Sequence, residues 1–269
     1  MTSATAHIRA ICKLFDACQY RHDRYTLFSD CMEMTAISIS NSTDLRHRET
    51  REERYMEIVG RYERDVIDTF PRIFAEVVMA MTAEPCDVLG RVFGELELGN
   101  AARGQFFTPY TVCQFMAQTM LGQDMDAIIA REGFVTVSEP ACGAGAMVIA
   151  LADAMRTSGV NYQQHLHVTA IDIDPRAVHM AYIQFSLLHI PAVISLGNAL
   201  AFETREQWFT PAHILGGWSL KLTERAERMA AQEPDQSDEC DEATPAPQGI
   251  ILPYVSPSKP VQLSLFPNG

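Results

Sequence analysis

Several things are missing from this chain of 269 residues, and each absence narrows what it is. No run approaches about twenty uninterrupted apolar positions, so no membrane-spanning helix is expected. The opening segment from Met1 to Lys13 lacks the long apolar stretch of a secretory signal. The seven cysteines are odd in number and include no Cys-x-x-Cys pair, which points to free thiols in a reducing, cytoplasmic setting. Cys12, Cys18, His22 and Cys31 match no common zinc spacing and read as helical core residues, so no metal is expected. Basic residues are few: 21 Lys and Arg against 34 Asp and Glu leave a net charge of -13. Both the stretch from residue 223 onward and the remainder are acidic, which argues against strong unaided attraction to phosphate-rich partners: a partner delivers the chain to DNA, or any basic groove is local.

The most informative stretch runs from Phe134 to Gly145. Phe134, Val135 and Val137 read as a short buried strand ending at Glu139, Pro140 to Gly145 as a glycine-containing turn, and residues 146–156 as a helix. A strand, a tight glycine turn and a helix N-terminus let backbone approach a ligand closely. The turn is neither Gly-x-Gly-x-x-Gly nor a P-loop, since the Lys-Ser/Thr pair is lacking. A second strand is read over 167–172 and ends in Asp172, where nucleotide-binding folds hold a ribose, and a strand-end turn acid is the alternative. A helix over 175–189, with Asp174 as cap and Pro175 as first residue, and a strand over 192–196 complete a β-α-β-α-β series. That alternation predicts parallel strands with right-handed crossovers.

Upstream lies Gly104-Gln105-Phe106-Phe107-Thr108-Pro109, which read by itself is a helix start capped by Thr108 behind two buried aromatics. Taken with Glu139-Pro140-Ala141-Cys142-Gly143-Ala144-Gly145, it resembles the adenine-N6 DNA methyltransferases, most closely the modification subunits of type I restriction systems. The likeness runs from about Asp87 to Leu200 and rests on three motifs in order. It implies an α/β, Rossmann-like S-adenosylmethionine-dependent methyltransferase fold with a short, mostly parallel sheet and an N-terminal helical region. It also implies S-adenosyl-L-methionine as cofactor. Gln105, Phe106, Phe107, Thr108 and Pro109 would lie at the methionine end, with the turn from Pro140 to Gly145. Glu139 would lie near the ammonium, Asp172 and Ile173 at the ribose, and Asn198 and Ala199 at the adenine. Resembling proteins have Asp where this chain has Asn198, a change that retains an acceptor and adds a donor.

The implied domains are an N-terminal helical region over 1–103, a cofactor-binding domain over 104–222 and an acidic, proline-containing tail over 223–269. In the first, residues 45–82 read as one or two helices that Pro71 bends or restarts, with Thr43 or Asp44 as cap. Arg46, Arg48, Arg51, Arg54, Arg61 and Arg64 alternate there with acids, which favours a salt-bridged surface over a DNA-facing one. A helix is read over 112–121 and another near 219–232.

The resemblance stops where chemistry is expected. Adenine-N6 enzymes hold the flipped base with an Asn/Asp-Pro-Pro-Tyr/Phe loop, and this chain contains no such tetrapeptide. Trp208-Phe209-Thr210-Pro211-Ala212-His213 stands near that place and reads as a buried aromatic turn or a substitute substrate loop. No catalytic residue is therefore assigned. Three strands are read, with residues 214–215 and 249–255 as weak extras, so the far edge of the first strand is left open, to be covered by the N-terminal helices or by another chain. The tail ends in Gln262-Leu263-Ser264-Leu265-Phe266, which resembles the peptide that docks bacterial polymerases on the replicative sliding clamp. Such a tether raises effective concentration on DNA without a basic surface, whereas a tail packed on its own domain is the alternative. Two functions follow: a DNA methyltransferase of restriction-modification type with a specificity or targeting partner, or a cofactor-binding homologue that lost catalysis and acts as a regulator at the clamp.

Overall fold

The computed structural model describes residues 3–98, 108–121 and 124–232. It divides into a unit from Met1 to Ser219 and a second from Leu220 onward. Among the described residues no helix is long and apolar enough to cross a membrane, and the six cysteines are all free.

The first unit begins with six helices: α1 (Ala4–Cys18), α2 (Arg24–Ser40), α3 (Arg48–Val59), α4 (Arg64–Ile67), α5 (Thr69–Ala83) and α6 (Val88–Glu95). In α1 the buried Ala4, Ile8, Ile11 and Phe15 recur at helical spacing, giving a single stripe that packs on α5 and α6. Helix α2 is buried at Leu27, Phe28, Cys31, Met32, Met34 and Ile37, because it lies between this helical layer and the helix Pro175–Leu187 of the α/β half. Asp23 caps it, accepting from Thr26 N at 2.9 Å. Residues 45–82 form three helices rather than one or two, and Pro71 falls in the first turn of α5, where its missing N–H costs nothing. Neither Thr43 nor Asp44 caps α3. Its N-cap is His47, and Asp44 is held by Arg51 instead, at 2.9 Å. The arginines of this region meet acids: Arg54 binds Glu33 and Glu57, Arg61 binds Asp30 and Glu57, and Arg21 binds Asp65.

The remaining elements are α7 (Tyr110–Met120), α8 (Asp124–Glu132), β1 (Val135–Glu139), α9 (Ala146–Thr157), α10 (Tyr162–His165), β2 (Leu166–Asp172), α11 (Pro175–Leu187), β3 (Ala192–Asn198), β4 (Glu203–Phe209), α12 (Pro211–Leu215) and α13 (Trp218–Gln232). The sheet order is β1-β2-β3-β4, with β1, β2 and β3 parallel and β4 antiparallel to β3. This is the expected α/β, mostly parallel Rossmann-like arrangement. Asp174 caps α11 through Arg176 N at 3.0 Å, with Pro175 at the first turn.

Three local readings are corrected. Thr108 does not cap α7: Pro109 is the N-cap, at an extended ψ of 133°, so the helix starts at Tyr110. Residues 214–215 belong to α12, not to a strand, because Thr210 accepts from His213 N and starts a helical turn. The fourth strand is β4, which sequence reading missed because five of its seven residues are exposed and polar or charged, with no apolar alternation. Residues 249–255, the other weak strand, lie outside the described residues.

Register divides the sheet into two faces. Leu166, Val168, Ala170, Ile194 and Trp208 share one face, where Trp208 packs on Tyr182 and His179 of α11. His167, Val193 and Phe209 share the other, where His213 of α12 and Trp218 cover one end. Buried Arg51 ties the helical layer to β4: its guanidinium lies 3.9 Å from the Trp208 ring centroid and donates to Gln207 O at 2.9 Å.

Candidate cofactor site

Glu139, Asp172 and Asn198 are the last residues of β1, β2 and β3, so the three polar side chains expected at the site end adjacent strands at the same end of the sheet. The tips are staggered: Glu139 is level with Ala170, and Asp172 with Leu196. In parallel sheets ligands bind outside these carboxyl ends.

The turn after β1 is bound to the tip of β2. Cys142 N donates to Ile171 O at 2.9 Å, and Gly143 N donates to Asp172 Oδ2 at 2.8 Å. The other carboxylate oxygen, Oδ1, accepts from Asp174 N at 2.9 Å. Each Asp172 oxygen thus holds one backbone N–H and retains acceptor capacity. Gly143 and Gly145 have φ of 53° and 94°, values that glycine adopts without strain. At Gly145 there is a second constraint, since a Cβ would strike the Phe185 ring of α11.

Among the described residues, burial and the site's own carboxyls dominate its electrostatics. Burial pushes the Glu139 carboxyl up, and nearby Asp172 adds to the shift. Burial also raises Asp172, against the opposing pull of the N–H groups of Asp174 and Gly143. No positive side chain contributes to either shift. Buried Cys142 is pushed well up by burial and by the same two carboxylates, which keeps it a thiol rather than a nucleophile. Asn198 Oδ1 accepts from Leu200 N at 3.0 Å and Ala201 N at 3.3 Å, which holds the β3–β4 turn and leaves the amide Nδ2 to donate. Ile173, beside Asp172, is exposed despite its apolar side chain.

Of the other expected site residues, Pro140, Ala141 and Ala144 lie in the turn, with Ala141 N 3.4 Å from Glu139 Oε1. Ala199 follows Asn198 in the β3–β4 turn. Thr108 and Pro109 lead into α7, which packs against α9. Gln105, Phe106 and Phe107 lie outside the described residues, as do Gln262, Leu263, Ser264, Leu265 and Phe266. The stretch from Trp208 to His213 closes β4 and opens α12. Trp208, Thr210 and His213 are buried, so it is not an exposed substrate loop.

Sequence reading passed over two residues that shape the turn from behind. Gln184 of α11 is fully buried, and its amide donates to Ala144 O at 2.8 Å and to Asp87 Oδ1 at 2.9 Å while accepting from Leu89 N at 3.1 Å. Asp87 also caps α6 through Gly90 N. The available signal was a polar residue at Gln184 within the apolar run of α11.

The acceptor set fits S-adenosylmethionine: half-buried carboxylates for an ammonium and ribose hydroxyls, an amide donor, and a free apolar side chain for a ring. No curated protein and no solved structure matches the chain. Residues 87–215 match the family described as N-6 DNA Methylase. That span, which holds the glycine turn and all three strand tips, is similar to the N-6 DNA methylase family.

Proposed function

We propose that the protein is an S-adenosylmethionine-dependent DNA methyltransferase of restriction-modification type that acts on adenine N6 and is brought to DNA by a partner. The observation that carries this reading is the convergence of Glu139, the Gly143 turn and Asp172 at neighbouring strand tips, with both carboxyls raised and, among the described residues, no cation contributing to either shift. In this reading residues 104–222 hold the cofactor, after helical residues 1–103 and before the tail 223–269. S-adenosylmethionine, when bound, supplies an electrophilic methyl group on its sulfonium. The chain's residues position it: Asp172 accepts from the ribose hydroxyls, Glu139 answers the ammonium, and Asn198 Nδ2 donates to an acceptor on the adenine edge. Ile173 packs on the ring, and the residues from Gln105 to Pro109 border the methionine end with the turn from Pro140 to Gly145. Aligning the acceptor nitrogen with the sulfonium is the main catalytic need. The peptide from Gln262 to Phe266 docks on a replicative sliding clamp, with Leu265 and Phe266 as its apolar anchors.

A second reading, a homologue that binds cofactor without catalysis and regulates DNA modification at the clamp, is favoured by the missing Asn/Asp-Pro-Pro-aromatic loop. Calorimetric titration with S-adenosylmethionine tests the shared premise, and N6-methyladenine in DNA from cells expressing the chain separates the two. Binding with unmodified DNA supports the second reading, and absence of binding overturns both. Clamp recovery equal to wild type with Leu265→Ala and Phe266→Ala would end the tether.

A further inference from the structure

We propose that Gln184, anchored by Asp87, is a positioning residue for the amino-acid end of the cofactor. It holds the carbonyl of Ala144 behind the glycine turn and so fixes the backbone that this end of the ligand meets. This rests on the reading of the strand tips as a cofactor site, with the turn at its methionine end.

The backbone groups of the turn divide into sets. Towards β2, Cys142 N donates to Ile171 O and Gly143 N to Asp172 Oδ2. Within the turn, Gly145 N donates to Cys142 O at 2.8 Å and closes it. Ala144 O belongs to neither set. Gly145, with its left-handed φ, is the N-cap of α9, and its own carbonyl accepts from Ile149 N at 3.0 Å. The carbonyl one residue earlier lies outside the helix's own ladder. Ala144 is nonetheless buried, so that oxygen needs a donor from elsewhere in the fold. Gln184 Nε2 provides it at 2.8 Å.

Other contacts aim the Gln184 amide. Nε2 also donates to Asp87 Oδ1 at 2.9 Å, and Oε1 accepts from Leu89 N at 3.1 Å. Each end of the amide thus meets groups of the opposite kind, and a flipped amide would meet like groups. Asp87 is itself held by Gly90 N at 2.9 Å. One residue along α11, the Phe185 ring lies where a Gly145 Cβ would stand, so the turn rests on the same helix. Without a donor, Ala144 O is a buried carbonyl left unpaired. The peptide between Ala144 and Gly145 regains a partner only by rotating, which breaks the bond from Gly145 N to Cys142 O. Asp172 keeps its bond from Asp174 N and stays at the tip of β2, so the nucleoside end is left in place. Displacements of about 1 Å in a positioning group are felt strongly by the ligand.

Calorimetry on the full chain with S-adenosylhomocysteine and with methylthioadenosine tests this. The two ligands share the nucleoside and its thioether sulfur, and only the first carries the amino-acid end. Gln184→Glu keeps the shape of the side chain and the acceptor for Leu89 N, but even when protonated it offers one proton to two acceptors. With circular dichroism matching wild type, Gln184→Glu and Asp87→Ala should each bind S-adenosylhomocysteine about tenfold more weakly, and methylthioadenosine within about twofold of wild type. Asp87→Asn, which keeps an acceptor for the Gln184 amide, should regain most of the affinity that Asp87→Ala loses. A role in stability alone would leave the affinities of the folded variants unchanged. A second measurement needs no variant: at equal saturation, S-adenosylhomocysteine should slow amide exchange at Leu89, whose N–H ends on Gln184, more than methylthioadenosine does. Unchanged binding of S-adenosylhomocysteine by both variants, equal losses for the two ligands, or equal slowing at Leu89 would each overturn the proposal while leaving the cofactor site standing. Wild type that binds neither ligand would overturn the site itself, and this proposal with it.

Discussion

Gln184 shows how much one buried side chain can hold. Its amide satisfies the Asp87 carboxylate at the start of α6, a carbonyl in the glycine turn and the N–H of Leu89. Gln184→Leu keeps similar volume but removes the partner shown for Ala144 O and Leu89 N and leaves Asp87 with its bond from Gly90 N, and each buried polar group left unpaired costs about 1–3 kcal/mol. We expect a loss of about 2–6 kcal/mol in urea unfolding from the two backbone groups left unpaired. Asp172 acts at the ligand side of the same turn. Asp172→Ala removes the acceptor for Gly143 N and Asp174 N and the partner proposed for the ribose. Losing a charge-assisted hydrogen bond of about 1.5–3 kcal/mol should weaken S-adenosylmethionine about tenfold to a hundredfold in calorimetry. Unchanged affinity would remove Asp172 from the site.

At the level of elements, β2 and α12 are joined by a pair of histidines. His167 Nε2 lies 2.9 Å from His213 Nδ1, and His213 Nε2 lies 3.0 Å from Ser219 Oγ. Burial lowers His167 to about 3, helped by His213, and burial lowers His213 to about 4, helped by Arg46. Buried His179 of α11 is lowered to about 4 by burial, partly opposed by Glu33. These bases have folded pKa values below their unfolded values, so below about 6.5 the unfolded chain binds more protons than the native one. Their contribution to stability is complete above that pH and is lost as pH falls towards 4 and then 3. Raised carboxyls at Asp87, Glu139 and Asp172 act in the opposite sense, favouring the folded state as they protonate. The histidine window opens, as pH falls, at the unfolded histidine value of about 6.5. Thermal scans should therefore show that, relative to wild type, His213→Gln loses less melting temperature between pH 7 and pH 5. A slope unchanged in the variant would mean the pair does not titrate as its burial requires.

On the scale of the whole molecule, net charge dominates. With 34 acidic against 21 basic residues, and with Arg51, Arg54 and Arg61 already bound to acids, little positive charge is left to meet phosphate. The isolated chain should bind duplex DNA no better than typical non-specific binding, a Kd of about 1–100 μM at physiological salt, in fluorescence anisotropy. Tighter binding by the purified chain would show that no delivering partner is needed.

The order of strand, glycine turn, helix and acid-tipped second strand was legible in residues 134–200 because each step depends on local chemistry. Gly143 and Gly145 mark positive φ, Asp174 and Pro175 mark a helix start, and apolar runs mark buried strands. Those signals also determined the direction of the sheet, since parallel strands joined by helices wind only one way. Tertiary structure alone decided the rest. β4 was invisible because a solvated antiparallel edge leaves no apolar pattern, and it exists by pairing with β3. The buried Arg51, Gln184 and His167–His213 contacts join positions far apart along the chain, so their burial is set by what folds against them and not by their neighbours in sequence.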